Sequence, residues 1–368
     1  MKFNAIILVI IYSTLSFILS ISYVDFNISG GVYSIKYYLG RNEESSVIDQ
    51  EKEGIKIRNE TYRPELSPKF RLVKNRSYEF DFGIYTCFEY QDEIRLNDNL
   101  YTDIHFYGMG EDSFFSYGRL SFGMQYKINN ELFSLVHQLK KNNIIDYLSY
   151  SFSPKENNDT SGKLYFGSLP DRVKDKKYKG GCNVDRNQTK WACELKRIKI
   201  GDCIYDNKEK MNFQSRERST IVPSSFYNEI RDLYLKDFFD REECREIFTL
   251  ETFQFFVCNC SVLNYLPSIE FTIDNYIFKT NLKYFINRNK EYCFIDFQTN
   301  LEHNSNWVFG TNFLNLFVST FDYEKHYITF YSDIVIIQSD NIYLQYLILC
   351  IIIILLFGIA ITVLDKFV

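Results

Sequence analysis

The acidic residues are the side chains of this sequence that could carry out hydrolytic chemistry. Asp49 follows two apolar residues, and Asp81, Asp206 and Glu217 are further acids that could face it. Two carboxylates a hydrogen bond apart share one proton, because like charges that close cannot both ionise. One can then take a proton from water while the other hydrogen-bonds a substrate carbonyl. Acid–base hydrolysis at Asp49 therefore requires a second carboxylate beside it.

The elements that would position such side chains are β-strands, which the sequence predicts most clearly between residues 260 and 330. Residues 268–274 alternate apolar and polar side chains, and residues 318–324 and 328–330 continue the strand pattern after short turns. Residues 131–145 instead have helical spacing, and we expect His137 to be a surface histidine of that helix rather than a base. The sequence predicts an all-β fold with a few short helices.

Length and composition limit the functional classes. The 368 residues suffice for two lobes with separate cores, and an aromatic content of 18% argues against disorder. The net charge is −5, without a basic block, so nucleic acid is not an expected partner. There are four histidines, and Cys258 and Cys260 are too close for zinc-finger spacing, so we expect neither a metal site nor a cofactor.

Both ends of the chain are hydrophobic. Residues 1–22 predict a signal peptide, with an uncleaved anchor as the alternative. Residues 343–364 predict a transmembrane helix, with a buried core helix as the alternative, and residues 365–368 form a short tail. We therefore expect a single-pass type I membrane protein of the secretory pathway, at the cell surface or facing an endomembrane or vacuolar lumen.

The cysteines fit an oxidising compartment. The ninth, Cys350, lies in the second hydrophobic segment, and Cys182 and Cys193 could pair across a short turn. An even set between the two hydrophobic segments predicts disulfides. That set contains Cys87, Cys182, Cys193, Cys203, Cys244, Cys258, Cys260 and Cys293.

Glycosylation sequons are also present, each of them weak evidence because the motif is short. They begin at Asn27, Asn59, Asn75, Asn158, Asn187 and Asn259.

The motifs of the second half resemble the C-terminal lobe of the pepsin-like aspartic peptidases. They are Cys260 before Leu-Pro at 266–267, a second cysteine beside Tyr292, an apolar-apolar-Gly segment at 308–310 and Phe-Asp at 321–322. The resemblance implies a bilobal fold, with lobes at 23–170 and 171–339, and a disulfide between Cys260 and Cys293. Asp322 would then be structural.

The first half resembles the same family less closely. Residues 33–40 match its first long strand, and Asp49 falls on the first catalytic position, followed by Gln50-Glu51 in place of Thr-Gly. Phe82 falls on the tyrosine of the flap, a hairpin lid over the cleft. In the segment 118–123, Arg119 and Ser121 replace an apolar residue and a glycine.

The second catalytic position is changed. Pro223 and the helix expected after it fix the register, so that Gln214 falls on the aspartate, Ser215 on the serine or threonine and Arg216 on the glycine. A glutamine cannot exchange the required proton at a useful pH. Of the two threonines that cross-brace the catalytic loops in the family, only the one replaced by Ser215 would keep a hydroxyl contact.

The resemblance therefore implies a membrane-anchored homologue that is catalytically inactive and binds a peptide or protein in the interlobe cleft. One alternative is an active aspartic endopeptidase with divergent motifs, using Asp81, Asp206 or Glu217 as the second acid. Another is a surface or adhesion protein whose cleft is closed by Arg216 and Arg218. Whether the chain is an enzyme stays open at this point.

Overall fold

The structure is a computed structural model, and it describes most of the chain between residues 23 and 338. The described residues are 23–29, 31–50, 55–58, 62–80, 83–109, 118–124, 134–155, 161–185, 190–249, 253–289, 292–300, 307–338 and 351. No helix among them is long and apolar enough to cross a bilayer. The predicted signal peptide lies outside them, and so does the predicted transmembrane helix apart from residue 351.

The fold is mostly β, as the alternating patterns predict. The strands of the first half are β1 Tyr23–Ser29, β2 Val32–Leu39, β3 Asn42–Asp49, β4 Lys56–Arg58, β5 Arg71–Phe80, β6 Gly83–Asn97, β7 Leu100–Met109, β8 Gly118–Ser121, β9 Ser149–Pro154 and β10 Ser161–Phe166.

The second half continues in the same way. Its strands are β11 Tyr178–Asn183, β12 Ala192–Ile200, β13 Cys203–Phe213, β14 Thr220–Ile221, β15 Cys244–Thr249, β16 Phe253–Asn259, β17 Ser268–Ile273, β18 Tyr276–Asn281, β19 Ile286–Asn289, β20 Tyr292–Asn300, β21 Val308–Phe309, β22 Val318–Asp322, β23 Tyr327–Ser332 and β24 Ile336–Gln338.

The helices are short and lie between strands. The α-helices are α1 Leu135–Lys141, α2 Ser224–Ile230, α3 Lys236–Asp240 and α4 Thr311–Leu314, and a π-helical turn, Arg231–Leu235, joins α2 to α3. The 3-10 helices are Pro64–Leu66, Asp171–Asp175, Cys260–Tyr265 and Leu282–Phe285.

Two sheets organise the described residues. The first has the strand order β11-β23-β22-β9-β10-β1-β2-β3-β8-β4-β7-β6-β5, and the second runs β15-β16-β20-β14-β21-β13-β12-β17-β18-β24, with β19 paired to β20. The first sheet includes the first strand of the second half, β11, and two strands from its end, because β22 pairs with β9 and β23 with β11. Strands from both halves of the chain thus share one sheet, whereas the lobe boundary at residue 170 stays a prediction.

Buried aromatic rings fill the space where the halves of the chain meet. Tyr150 stacks on Phe321 with ring centroids 4.8 Å apart, and Trp191 meets Tyr323 edge to face at 4.8 Å. All four rings are buried. Aromatic pairs of this kind add roughly 1 kcal/mol each beyond the area they bury. The rings therefore form an aromatic layer that joins β9 and β22 to the residue just before β12.

Three disulfides lie in the second half of the chain. Cys182 bonds Cys193, and Cys260 bonds Cys293, the pairing that the resemblance implies. Cys244 bonds Cys258 across the β15–β16 pair, a connection that the spacing alone did not identify. Closing loops of 11, 14 and 33 residues stabilises the fold by about 3 kcal/mol each in the chain-entropy account.

Candidate active site

The first of the two loops at the candidate site begins at the end of β3. This strand runs parallel to β8, with Ile48 beside Leu120 and Asp49 beside Ser121. The Phe122 amide donates to the Asp49 carbonyl over 2.7 Å. The carboxyl group of Asp49 is fully buried, so the parallel pair fixes both its backbone and the direction of its side chain.

The second loop begins at the end of β13 in an equivalent way. This strand runs parallel to β21, with Phe213 beside Phe309, and the Gln214 amide donates to the Phe309 carbonyl over 3.0 Å. Gln214 is buried. Asp49 and Gln214 thus occupy corresponding positions, each at the end of a strand that has a parallel neighbour.

Buried hydrogen bonds join the two loops. The Ser215 hydroxyl donates to the Ile48 carbonyl over 2.8 Å, and the Ser215 amide donates to Oε1 of Gln50 over 2.8 Å. Nε2 of Gln50 in turn donates to the Tyr150 hydroxyl over 3.0 Å. The Ser215 hydroxyl thus makes the one hydroxyl contact that the resemblance left to these two positions, and the Gln50 side chain adds a second brace by accepting from the Ser215 backbone amide.

Two arginines approach the carboxylate of Asp49. Nη1 of Arg119 lies 3.1 Å from Oδ2 of Asp49, and Nη1 of Arg216 lies 3.8 Å from the same oxygen. Nε of Arg216 also lies 3.4 Å from Oε1 of Gln214. A buried carboxylate is costly unless it is paired and hydrogen-bonded. This site therefore has two arginines and the amide of Gln214 around Asp49, in place of a second acid that could share its proton.

Arg216, which falls on the family's glycine in the predicted register, does not disrupt the loop. About a quarter of its side chain is exposed, and the loop-to-loop hydrogen bonds of the neighbouring Ser215 are intact. Arg218, by contrast, turns to Asp296, with its Nε 3.7 Å from Oδ2. The two arginines therefore pair with different carboxylates, and closure of the cleft by them stays a prediction.

The other candidate acids lie in different surroundings. Asp206 is on the exposed face of β13, where Nε of Arg197 donates to it over 2.7 Å. Glu217 lies close to the site, with Oε1 3.8 Å from Nε of Arg216. Asp81 and Phe82 lie outside the described residues. Among the alternative acids that the structure describes, Glu217 is therefore the one that contacts Arg216 together with Asp49.

Two residues of the aromatic layer are hydrogen-bonded to the segment that holds the Asp49 loop. Nε1 of Trp191 and the Tyr323 hydroxyl each donate over 2.8 Å to the carbonyl of Phe122, whose amide binds the Asp49 carbonyl. Tyr323 also meets His137 edge to face at 4.7 Å. These contacts connect α1, the residue before β12 and the residue after β22 to the site.

His137 is not a surface residue, so that expectation was wrong. It is 9% exposed, and its Nδ1 lies 2.8 Å from the Ser134 hydroxyl. The buried face of α1 includes every residue from Leu135 to Leu139, because the helix is covered on several sides. Burial lowers the pKa of His137 to about 4.

Most of the predicted glycosylation sites cannot be placed. Asn27 in β1 and Asn259 at the end of β16 are exposed. The side chain of Asn75 in β5 lies outside the described residues, as do Asn59, Asn158 and Asn187.

The site thus consists of two loops that each follow a strand with a parallel neighbour, and buried hydrogen bonds brace the loops against one another. This arrangement is the one expected of the aspartic peptidase class. A family model described as eukaryotic aspartyl protease matches residues 58–332. The match spans well over half of the chain, which therefore belongs to the eukaryotic aspartyl protease family. It begins nine residues after Asp49. A search of curated proteins found no relative that matches the chain.

Some site residues were not identified from the sequence. Arg119 was recognised as a departure from the family pattern, but its ion pair with Asp49 was not predicted. The available signal was strand alternation, which places residues 119 and 121 of β8 on one face. Asp296 was missed entirely. It alternates with the apolar residues Ile295 and Phe297 in β20, a pattern that says nothing about its pairing with Arg218.

Proposed function

We propose that this family member is catalytically inactive and that it binds peptide or protein segments without cleaving them. The observation that carries the proposal is the pairing of buried Asp49 with Arg119, at 3.1 Å, while Gln214 occupies the position of the second acid. A proton-sharing pair of acids is absent from these two positions.

The chemical argument rests on proton transfer. In an aspartic peptidase, one acid receives a proton from the attacking water while the other hydrogen-bonds the substrate carbonyl. Gln214 can donate a hydrogen bond to a carbonyl but cannot take up or release a proton. Arg119 and Arg216 pair with Oδ2 of Asp49, so an attacking water would have to compete with them for that oxygen. Both roles are therefore weakened together.

The binding role is supported by the preserved scaffold. The loops of Asp49 and Gln214 keep their hydrogen bonds to one another, although the chemistry would no longer need that precision. A cleft between two β lobes can hold an extended segment by strand-like hydrogen bonds. We therefore infer that the cleft implied by the family fold is retained for binding.

We also propose a secretory, membrane-anchored location for the chain. The three disulfides support an oxidising compartment. The hydrophobic segments at residues 1–22 and 343–364 support a type I topology with one C-terminal anchor. Protease protection of the full chain in sealed membranes, with glycosidase treatment, would test both points.

The binding proposal is tested by incubating the full chain with a diverse peptide library and identifying the retained peptides by mass spectrometry. We expect retained peptides to be recovered intact. Gln214→Arg should reduce retention, because it adds a third large cation beside Arg119 and Arg216, whereas the exposed control Asp206→Asn should not. Absence of retained peptides at every pH between 3 and 7 would refute binding, and recovery of paired fragments would refute inactivity.

A further inference from the structure

A cavity with a strongly cationic lining lies outside the candidate active site. Its volume is about 800 Å³. Asp49, Gln214, Arg119 and Arg216 do not line it, although Arg218 does. Its five cationic residues, which come from separate parts of the chain, define what we call the cationic pocket: Lys155, Arg172, Lys176, Arg218 and Lys283.

The charges of the cationic pocket do not cancel among the described residues. Its carboxylates are Asp296 and Asp333. Nε of Arg218 lies 3.7 Å from Asp296, and Nζ of Lys176 lies 2.6 Å from Asp333. The lining thus has three more cations than carboxylates, in a chain whose net charge is −5.

Two of the excess cations are available to a ligand. Lys155 and Lys283 are exposed, and neither forms an ion pair with a carboxylate in the part of the chain that the structure describes. Nζ of Lys283 lies 5.3 Å from the centroid of the Tyr284 ring. Lysines on flexible stems can follow an anion that is not rigidly placed.

The pocket is also held in a defined shape. Gly31 has φ +86°, and a Cβ atom there would lie 2.2 Å from Cγ of Arg218, so the glycine allows the arginine to pack against the backbone. The Thr311 hydroxyl donates to the Gly31 carbonyl. Arg218 is therefore positioned by the β1–β2 turn as well as by Asp296.

The walls between the cations are partly apolar. Ile286, Leu316 and Phe317 line the pocket together with the rings of Tyr284 and Tyr331. A volume of about 800 Å³ lies within the usual range for ligand sites, roughly 300–1,000 Å³. A mixed lining of this kind suits a ligand that carries both carboxylates and apolar groups better than it suits a bare inorganic anion.

From this charge, shape and lining, we propose that the cationic pocket binds an acidic segment of a polypeptide partner. This goes beyond the function proposed above, because the pocket lies outside the Asp49–Gln214 site and its binding does not depend on an inactive dyad. Carboxylates of the segment pair with Lys155 and Lys283, and its apolar side chains contact Ile286 and Tyr331.

The test measures binding of three labelled ten-residue peptides to the full chain by fluorescence anisotropy. The peptides contain leucine and alanine with glutamate, glutamine or lysine at the same four positions. We expect the glutamate peptide to bind at least tenfold more tightly than the glutamine peptide, and the advantage to fall as salt increases. In Lys155→Glu/Lys283→Glu this advantage should disappear. The control Lys210→Glu/Lys236→Glu, with the same change in net charge at exposed sites outside the pocket, should stay within about twofold of the wild type.

Three results would overturn the proposal. The first is equal binding of the glutamate and glutamine peptides. The second is a loss of glutamate-peptide affinity in the control variant as large as that in Lys155→Glu/Lys283→Glu. The third is binding of inorganic tripolyphosphate without binding of the glutamate peptide. The outcome is independent of the cleft proposal, because Gln214→Arg should leave binding of the glutamate peptide unchanged. Circular dichroism of each variant verifies that a loss of binding is not a loss of fold.

Discussion

Arg119 and Asp49 lie on neighbouring parallel strands and point to the same side. Arg119 is in register with Val47, and its guanidinium extends two residues along β3 to reach the carboxylate of Asp49 at 3.1 Å. The ion pair is largely shielded from water, since Asp49 is buried and the Arg119 side chain is 19% exposed. Such a pair adds little net stability, but removing one partner leaves a costly uncompensated charge.

We therefore expect Arg119→Met to destabilise the protein by about 3 kcal/mol, because Asp49 would lose its nearest cation. The double variant Arg119→Met/Asp49→Asn should recover most of this loss. Urea unfolding of the wild type, both single variants and the double variant gives the coupling energy. If the losses of the single variants simply added, the pair would not be coupled as described.

The hydrogen bond from Ser215 to Ile48 predicts a second stability effect. Ser215→Ala would leave a buried carbonyl without its donor, and we expect a loss of about 1–2 kcal/mol. Ser34→Ala, which removes only a long hydrogen bond of 3.5 Å at a solvent-exposed position, is the matched control and should change stability by less than about 0.5 kcal/mol. Equal effects of the two substitutions in urea unfolding would mean that the brace between the loops is unimportant for stability.

Restoring the second acid alone should not restore catalysis. In Gln214→Asp the new carboxylate would lie within reach of Arg216, and Arg119 and Arg216 would still pair with the carboxylate of Asp49. Adding Arg119→Ile and Arg216→Gly should give the first cleavage above background, at acid pH, by a factor on the order of 10²–10⁴ for acid–base catalysis. Peptide cleavage by the single variant at the rate of the triple variant would show that the arginines do not suppress the site.

His137 predicts a loss of stability on acidification. Its pKa is about 4 in the folded protein and about 6.5 when unfolded, so the unfolded chain binds the proton first as pH falls. The part of the unfolding free energy that depends on neutral His137 is fully present above pH 6.5. It falls by about 3 kcal/mol as pH drops to about 4. In His137→Gln this part of the pH dependence should be absent, as measured by urea unfolding at pH 7, 5.5 and 4. Parallel curves for the two proteins would contradict the buried, neutral histidine.

Asp296 should have the opposite effect on the pH dependence of stability: it should favour the folded state at low pH. Burial raises its pKa to about 6 despite the opposing effects of Arg218 and Ser219, so the folded state keeps the proton at pH values where the unfolded chain releases it. The contribution of Asp296 to the free energy of unfolding is fully present below about pH 3.8 and is lost as pH rises through 6. The change is about 3 kcal/mol. Asp296→Asn should therefore gain stability relative to the wild type at pH 7 and lose that advantage at pH 4. An advantage that does not change with pH would exclude this cause.

Much of the fold could be predicted from the sequence, because alternation and turns are local signals. The strands at residues 268–273 and 318–322 follow the predicted pattern, and Pro223 before α2 fixed the register that aligns Gln214 with Asp49. The expected helix at residues 131–145 is described only as Leu135–Lys141, with residues 125–133 outside the described part.

Other features depend on contacts between distant residues and could not be predicted in this way. His137 is buried partly by Tyr323, which lies 186 residues later in the sequence. Cys244 and Cys258 are adjacent only because β15 pairs with β16, and no spacing rule selects that pairing among eight cysteines. The replacement of a threonine hydroxyl by the Gln50 amide likewise depends on the distance between the loops.

The most direct test of the central claim is a cleavage assay of the purified full chain between pH 3 and 7. The assay uses a diverse peptide mixture and compares the wild type with Asp49→Asn and with the exposed-acid control Asp206→Asn. We predict no cleavage by any of the three proteins at any pH in this range. Cleavage by the wild type and by Asp206→Asn that is lost in Asp49→Asn would show that Asp49 acts with an acid other than residue 214, and would contradict the inactive site.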